Sequence, residues 1–174
     1  SKAAPDAHIK AFTAVEIDWF SQISGKSVSK VISDLMNAGV DALPGGGAEI
    51  FSPEVRKKIC TPKTTGDSWL EIHREAHKQG LPSNATILYG HLESYDDVID
   101  HVSRLRDLQD DTNGFFAFIP VLFQPFNTRL SKVKPFPFSY DLKIHSLARL
   151  YLDNFPYIKA YWITLGEKAA QVAL

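Results

Sequence analysis

Two hydrophobic rhythms alternate along the chain. Short apolar runs bounded by turn formers read as strands, and longer stretches with apolar residues three and four apart read as amphipathic helices. Residues 8–13 form a first short strand, with 2–7 as a frayed lead-in and a short amphipathic piece at 15–21 before Gly25. Ser27 caps a helix that shows Val28, Val31, Ile32, Leu35 and Met36 on one face and stops at Gly39. Residues 40–43 make a second strand, which runs into three glycines. Ser52-Pro53-Glu54 then starts a helix, with cap, proline and first-turn acid, that ends near Cys60-Thr61-Pro62.

A further helix begins at Asp67 or Ser68, carries Trp69, Leu70, Ile72, His73, Ala76 and His77, and ends at Gly80. Residues 84–89 are the third strand. Ser94 and Asp97 open the next helix in the manner of a capping box, and Asn113-Gly114 ends it. The unbroken apolar run 115–123 reads as a strand buried on both faces. A proline-rich loop over 124–138 leads to a helix at 140–154, a fifth strand at 157–164 and a last helix from Gly166.

Strands alternating with helices at intervals of roughly 30 to 43 residues predict a parallel α/β sheet with right-handed crossovers. Two closures fit this pattern: a flavodoxin-like doubly wound sheet, or part of an eight-unit barrel. The final helix favours the barrel part, because Ala169, Ala170, Val172 and Ala173 continue without a stop signal.

Composition narrows the partners. The 174 residues suffice for one domain with a real core, and the net charge of −1 gives no reason to expect a nucleic acid or an anionic membrane. No apolar run approaches a membrane span, and the start lacks the pattern of a signal peptide. The single cysteine, Cys60, excludes an internal disulfide and points to a reducing cytoplasm. By itself it also excludes a cysteine-ligated cluster.

Candidate chemistry gathers at the C-terminal ends of the predicted strands, where α/β folds keep ligand sites. Gly45, Gly46 and Gly47 leave the backbone free to approach a ligand, and they deliver Glu49 just before a helix. Neither GxxxxGK[ST] nor GxGxxG is present, so this is not a phosphate loop. His8, Lys10 and Glu16 mark the first strand, Asn84, Thr86, Tyr89, His91 and Glu93 the third, and Gln124, Asn127, Thr128 and Arg129 the fourth. His73 and His77 stand four apart on a helix without a third ligand, and they read as a helix face, as do His101 and His145. Cys60 reads as an inert helix-end thiol, and no nucleophile elbow is present. Such a mouth suits a small molecule rich in hydroxyls or bearing a carboxylate.

The blocks HIKAFTAVEI, LPGGGAEIFSPEVRKKI, WLEIHREAHKQG, SNATILYGHLES and FIPVLFQPFNTRL resemble one group of radical-SAM enzymes. That group comprises the aminofutalosine synthases and dehypoxanthine futalosine cyclases of menaquinone biosynthesis and the deazaflavin-cofactor synthases. The resemblance runs from His8 to Leu174 and is nearest to the aminofutalosine synthase branch, on the AFTAVEI stretch. It implies a partial (β/α) TIM-type barrel of about five units. It also implies S-adenosylmethionine as cosubstrate and a [4Fe–4S] cluster, held in the family by a CxxxCxxC loop that these residues lack.

Carried over by position, Glu49 after Gly45, Gly46 and Gly47 would bond the ribose hydroxyls, and Arg56 would meet the methionine carboxylate. Thr86-x-Leu88-x-Gly90-x-x-Glu93 is similar to the family's GxIxGxxE, with Leu88 toward adenine, and Ile119 to Gln124 would form the adenine wall. His8, Lys10, Glu16 and His91 would face substrate, with Lys10 or Arg129 meeting a benzoate carboxylate. The implied reaction adds the 5′-deoxyadenosyl radical to 3-[(1-carboxyvinyl)oxy]benzoate, with loss of carbon dioxide. A fragment of this kind would be inactive alone, and its unpaired sheet edges would favour oligomers. A non-catalytic flavodoxin-like binding domain is the competing expectation from another class.

Overall fold

The computed structural model describes residues 4, 6–61 and 63–174, so the expected lead-in at 2–7 and helix end at Pro62 fall partly outside it. Helix α1 (Ala14–Ser24) opens on a full capping box: Thr13 accepts from the Glu16 N–H, and the Glu16 carboxylate accepts from the Thr13 N–H at 2.7 Å. Helix α2 (Val28–Asn37) is capped by Ser27 as expected and buries Val31 and Ile32. Helices α3 (Pro53–Ile59) and α4 (Gly66–Lys78) lead to strand β1 (Ser83–Tyr89). Helix α5 (Tyr95–Thr112), capped by the Ser94–Asp97 box and ended by Asn113 at φ +50°, connects to strand β2 (Phe115–Leu122). Helix α6 (Phe138–Tyr151) precedes strand β3 (Tyr157–Ile158) and two short helices, α7 (Trp162–Leu165) and α8 (Glu167–Val172).

The three strands form a parallel sheet in the order β1-β2-β3. Two isolated parallel bridges, Lys10 with Ala42 and Leu43 with Ser83, extend the pairing to the first two segments. Spatial neighbours therefore follow chain order throughout. The doubly wound alternative requires the first segment to sit between the second and third, and here the second holds that place.

Of the five expected strands, then, three form, and each shortfall has a local cause. Phe12 sits at φ +64°, outside the β region, and Thr13 already caps α1, so the first segment ends after one bridge. Pro44, without an N–H, and the glycine turn stop the second segment after Leu43. The fifth has a partner on one side alone, its last ladder bond running from the Lys159 N–H to the Phe118 carbonyl at 2.9 Å. Residues 162–164, expected as strand, coil into α7.

Ala85, Ile87 and Tyr89 are fully buried, and the Tyr89 hydroxyl reaches Asp141 of α6 at 3.0 Å, whereas Thr86 and Leu88 face the other side and are half-buried. The helix-covered side carries a ladder of flat rings. Trp69 stacks on His73 at 3.6 Å between centroids, and Phe115 stacks on Phe155 at 5.3 Å. Burying each such aromatic is worth about 2–3 kcal/mol. Among the described residues no helix is long and apolar enough to cross a membrane.

Candidate functional site

The loop after the second segment is shaped by packing. A Cβ on Gly45 would lie 2.8 Å from Thr86 Cγ2 and 2.9 Å from backbone atoms of Ala85 and Asn84. One on Gly46 would lie 3.1 Å from the Thr13 methyl, and one on Gly47, at φ +86°, would fall inside the Val15 side chain. The loop's carbonyls are bonded as well, Gly45 to the Thr86 hydroxyl at 2.6 Å and Gly46 to the Trp69 indole N–H at 3.2 Å. This corrects the expectation that the glycines open the backbone to a ligand: protein atoms fill the space.

Arg56 is corrected too. Its guanidinium is buried, with Nη1 donating to the Ala48 and Ile50 carbonyls and Nη2 to those of Gly47 and Thr64. The fork that would have gripped a carboxylate ties the loop together instead. Glu49 is held at φ +47°, a left-handed conformation that costs a non-glycine residue about 1 kcal/mol. Its carbonyl accepts the Leu88 N–H at 2.8 Å, and its carboxylate, 19% exposed, meets Lys63 at 2.6 Å. Glu49 therefore stays beside the exit of β1.

That exit turns at Gly90, φ +85°. The Glu93 carboxylate accepts from the Gly90 and His91 N–H groups and from the Tyr140 hydroxyl at 3.0 Å. Burial and the Glu93 charge push the Tyr140 phenol well up, so it remains a donor. His91 is buried; its Nδ1 accepts the Leu92 N–H at 2.6 Å, and its Nε2–H donates to the Leu88 carbonyl at 2.9 Å. These partners fix the neutral tautomer with the proton on Nε2. Burial lowers the His91 pKa, against the opposing charge of Glu93, whose Oε2 is 3.0 Å from Nδ1.

A cavity of about 370 Å³ opens at this rim. Leu88, His91 and Phe123 line it from the sheet ends, Lys57 and Lys58 from α3, and Arg129 from the loop after β2. Lys57 and Lys58 escape a reading by sequence because a basic helix end looks like a solvated face. The signal available was their place on the helix that leaves the glycine loop.

Other expected site residues lie elsewhere. His8 is exposed with Nδ1 3.9 Å from Asp41, which precedes the bridge residue Ala42, so it sits at the N-terminal edge of the sheet. The Lys10 ammonium lies 4.2 Å above the ring of Phe116, the second residue of β2, with Lys159 over the same ring at 5.9 Å. Burial and then the Lys159 charge lower the Lys10 pKa. Both residues open their segment, and only residues near a parallel strand's end reach its C-terminal mouth. Glu16 is spent on the α1 cap.

Ile119 is half-buried opposite Thr86, whose side chain is bonded to the glycine loop. Gln124 is exposed and donates to the Thr164 carbonyl at 3.2 Å; it lines a separate cleft. Cys60 is half-buried, and burial raises its thiol pKa. His73, pushed by burial to about 3, and His77, pushed to about 4, behave as the helix face expected of them. Among the described residues no group of His, Cys, Asp and Glu could hold a metal ion.

Comparison with known proteins gives this rim a context. Residues 112–174 match the family model for the CofH/MqnC C-terminal region. The chain is 51% identical to aminodeoxyfutalosine synthase of Thermus thermophilus, over 98% of this chain and 47% of that enzyme. It is 42% identical to the synthase of the same name from Streptomyces coelicolor, over 99% of the chain and 47% of the enzyme. A 5-amino-6-(D-ribitylamino)uracil–L-tyrosine 4-hydroxyphenyl transferase of Methanopyrus kandleri is 41% identical over 98% of the chain and 48% of the enzyme. The chain thus spans about half the length of these relatives. The chain is thus similar over nearly its whole length to one half of aminodeoxyfutalosine synthase, and its residues 112–174 match the CofH/MqnC C-terminal region.

Proposed function

We propose that this chain is the substrate-binding part of a radical-SAM aminodeoxyfutalosine synthase, built as an arc of a (β/α) barrel. The observation that carries this reading is the 51% identity with the Thermus thermophilus synthase across 98% of the chain. Pairing of parallel segments in chain order supports the arc.

The residues present differ in how they fit the implied groups. One half-buried cysteine cannot supply three thiolates, so a [4Fe–4S] cluster does not fit these residues. S-adenosylmethionine fits better. Glu49 lies beside the β1 exit with a partly open carboxylate, and a carboxylate can accept both ribose hydroxyls at once. Leu88 offers an apolar wall for adenine. The cosubstrate supplies the 5′-deoxyadenosyl group that is joined to the enol-ether carbon of 3-[(1-carboxyvinyl)oxy]benzoate. The protein's share is positional: Arg56 locks the loop that carries Glu49, and Glu93 locks the turn that carries His91.

The test is turnover by the full-length protein containing this chain, reconstituted anaerobically with the acid and S-adenosylmethionine. Aminodeoxyfutalosine is the expected product, and its absence from a competent preparation refutes the reading. A second reading rests on the 41% identity with the Methanopyrus kandleri transferase. Turnover of L-tyrosine with 5-amino-6-(D-ribitylamino)uracil, and not of the benzoate, establishes that one instead.

A further inference from the structure

The rim cavity carries a charge pattern that neither the fold nor the relatives' names explain. Lys57, Lys58 and Arg129 line it, and no Asp or Glu does. Among the described residues none of these three has a carboxylate within ion-pair distance. Other cations do: Lys63 pairs with Glu49, Arg104 with Asp67, Arg74 with Asp111 and Arg106 with Asp153.

Two bland accounts fall short. Basic residues in the last turn of α3 complement the helix dipole, which accounts for Lys57 and Lys58. It does not account for Arg129, which arrives from a loop some 70 residues later in the chain and faces the same space. Nor does a solvated basic surface explain the walls between the charges. Ile59, Leu88 and Phe123 give the cavity an apolar lining, and Phe123 meets the His91 ring edge-on at 5.9 Å. His91 contributes shape rather than charge, since both its ring nitrogens are bonded to main chain.

We infer that Lys57, Lys58 and Arg129 form a carboxylate-binding subsite for an aromatic acid, whose ring lies against Phe123. A space of about 370 Å³ is in the range that small-molecule sites occupy. Gathering three like charges around one cavity is unfavourable until an anion enters, and Arg129 adds a planar fork that matches a carboxylate. The inference deepens the proposed function by assigning the acid's carboxylates, and it rests on that reading for the substrate's identity. The binding measurement does not depend on turnover.

Both an aromatic acid and the methionine end of S-adenosylmethionine carry carboxylates, so the experiment separates them. Calorimetry on the full-length protein uses isophthalate, its neutral diamide isophthalamide, and S-adenosylhomocysteine. The expected result is isophthalate binding that weakens with salt, with isophthalamide at least tenfold weaker. In K57Q/K58Q/R129Q, isophthalate affinity falls at least tenfold while S-adenosylhomocysteine affinity holds. R129K, with charge kept and fork lost, falls between, and all three exposed sites should leave the melting temperature unchanged. Isophthalate binding undiminished in the triple variant overturns the inference. So does equal binding of the diamide, or a loss confined to S-adenosylhomocysteine. Failure of the synthase assay with these binding results intact would sink the proposed reaction and leave the subsite standing.

Discussion

Replacing Arg56 with lysine separates two roles for this buried cation. The guanidinium reaches four carbonyls, those of Gly47, Ala48, Ile50 and Thr64, from two nitrogens set in one plane. An ammonium has three donors diverging from one point and a shorter reach. If the lysine keeps two of the four bonds, Arg56→Lys loses two charge-assisted bonds worth about 1.5–3 kcal/mol each and leaves buried carbonyls unpaired. The expected destabilisation is about 3–6 kcal/mol, a large share of the ~5–15 kcal/mol of a typical domain. Urea unfolding of the full-length protein followed by circular dichroism measures it, as a lower midpoint at unchanged slope. S-adenosylmethionine affinity should fall only as far as Glu49 is displaced. A variant as stable as the parent, yet deficient in binding the cosubstrate, would refute the structural role and restore Arg56 as a carboxylate ligand.

Three further outcomes follow from the same packing. His73 and His101 are pushed by burial to about 3, so the unfolded chain binds their protons first as the pH falls below about 6.5. Stability is full above that pH and should drop by about 2 kcal/mol per histidine at pH 5, read from urea midpoints at pH 8 and 5; a pH-independent midpoint contradicts this. Gly47→Ala meets both a positive φ and Val15, and should cost about 2–4 kcal/mol in a thermal melt, more than Gly46→Ala, whose new methyl meets one movable side chain. Glu49→Gln breaks a partly exposed pair with Lys63, so stability should change by under about 1 kcal/mol while S-adenosylmethionine affinity falls about tenfold; unchanged affinity removes Glu49 from the cosubstrate site.

What was legible in the sequence was local. Ser27, the Ser94–Asp97 box and Asn113 mark helix ends through bonds to residues within a turn, and the apolar run of β2 announces a strand, although Phe116, Ile119 and Val121 on one face are half-buried rather than buried as expected. The alternation of strand and helix was enough for a parallel α/β sheet and for the mouth at its C-terminal ends. Tertiary contacts settled the rest. The three glycines read as an opening for a ligand until Val15 and Thr86, residues distant in the chain, are seen filling the space beside them. Arg56 read as a ligand until four carbonyls claimed it, and Lys10 read as a mouth residue until the sheet laid it over Phe116. Lys57, Lys58 and Arg129 became a group only when α3 and the loop after β2 met across one cavity. Caps and periodicity act over a few residues and leave their mark in adjacent letters. A side chain's partners are chosen by the path of the whole chain, and no short stretch of letters carries that path.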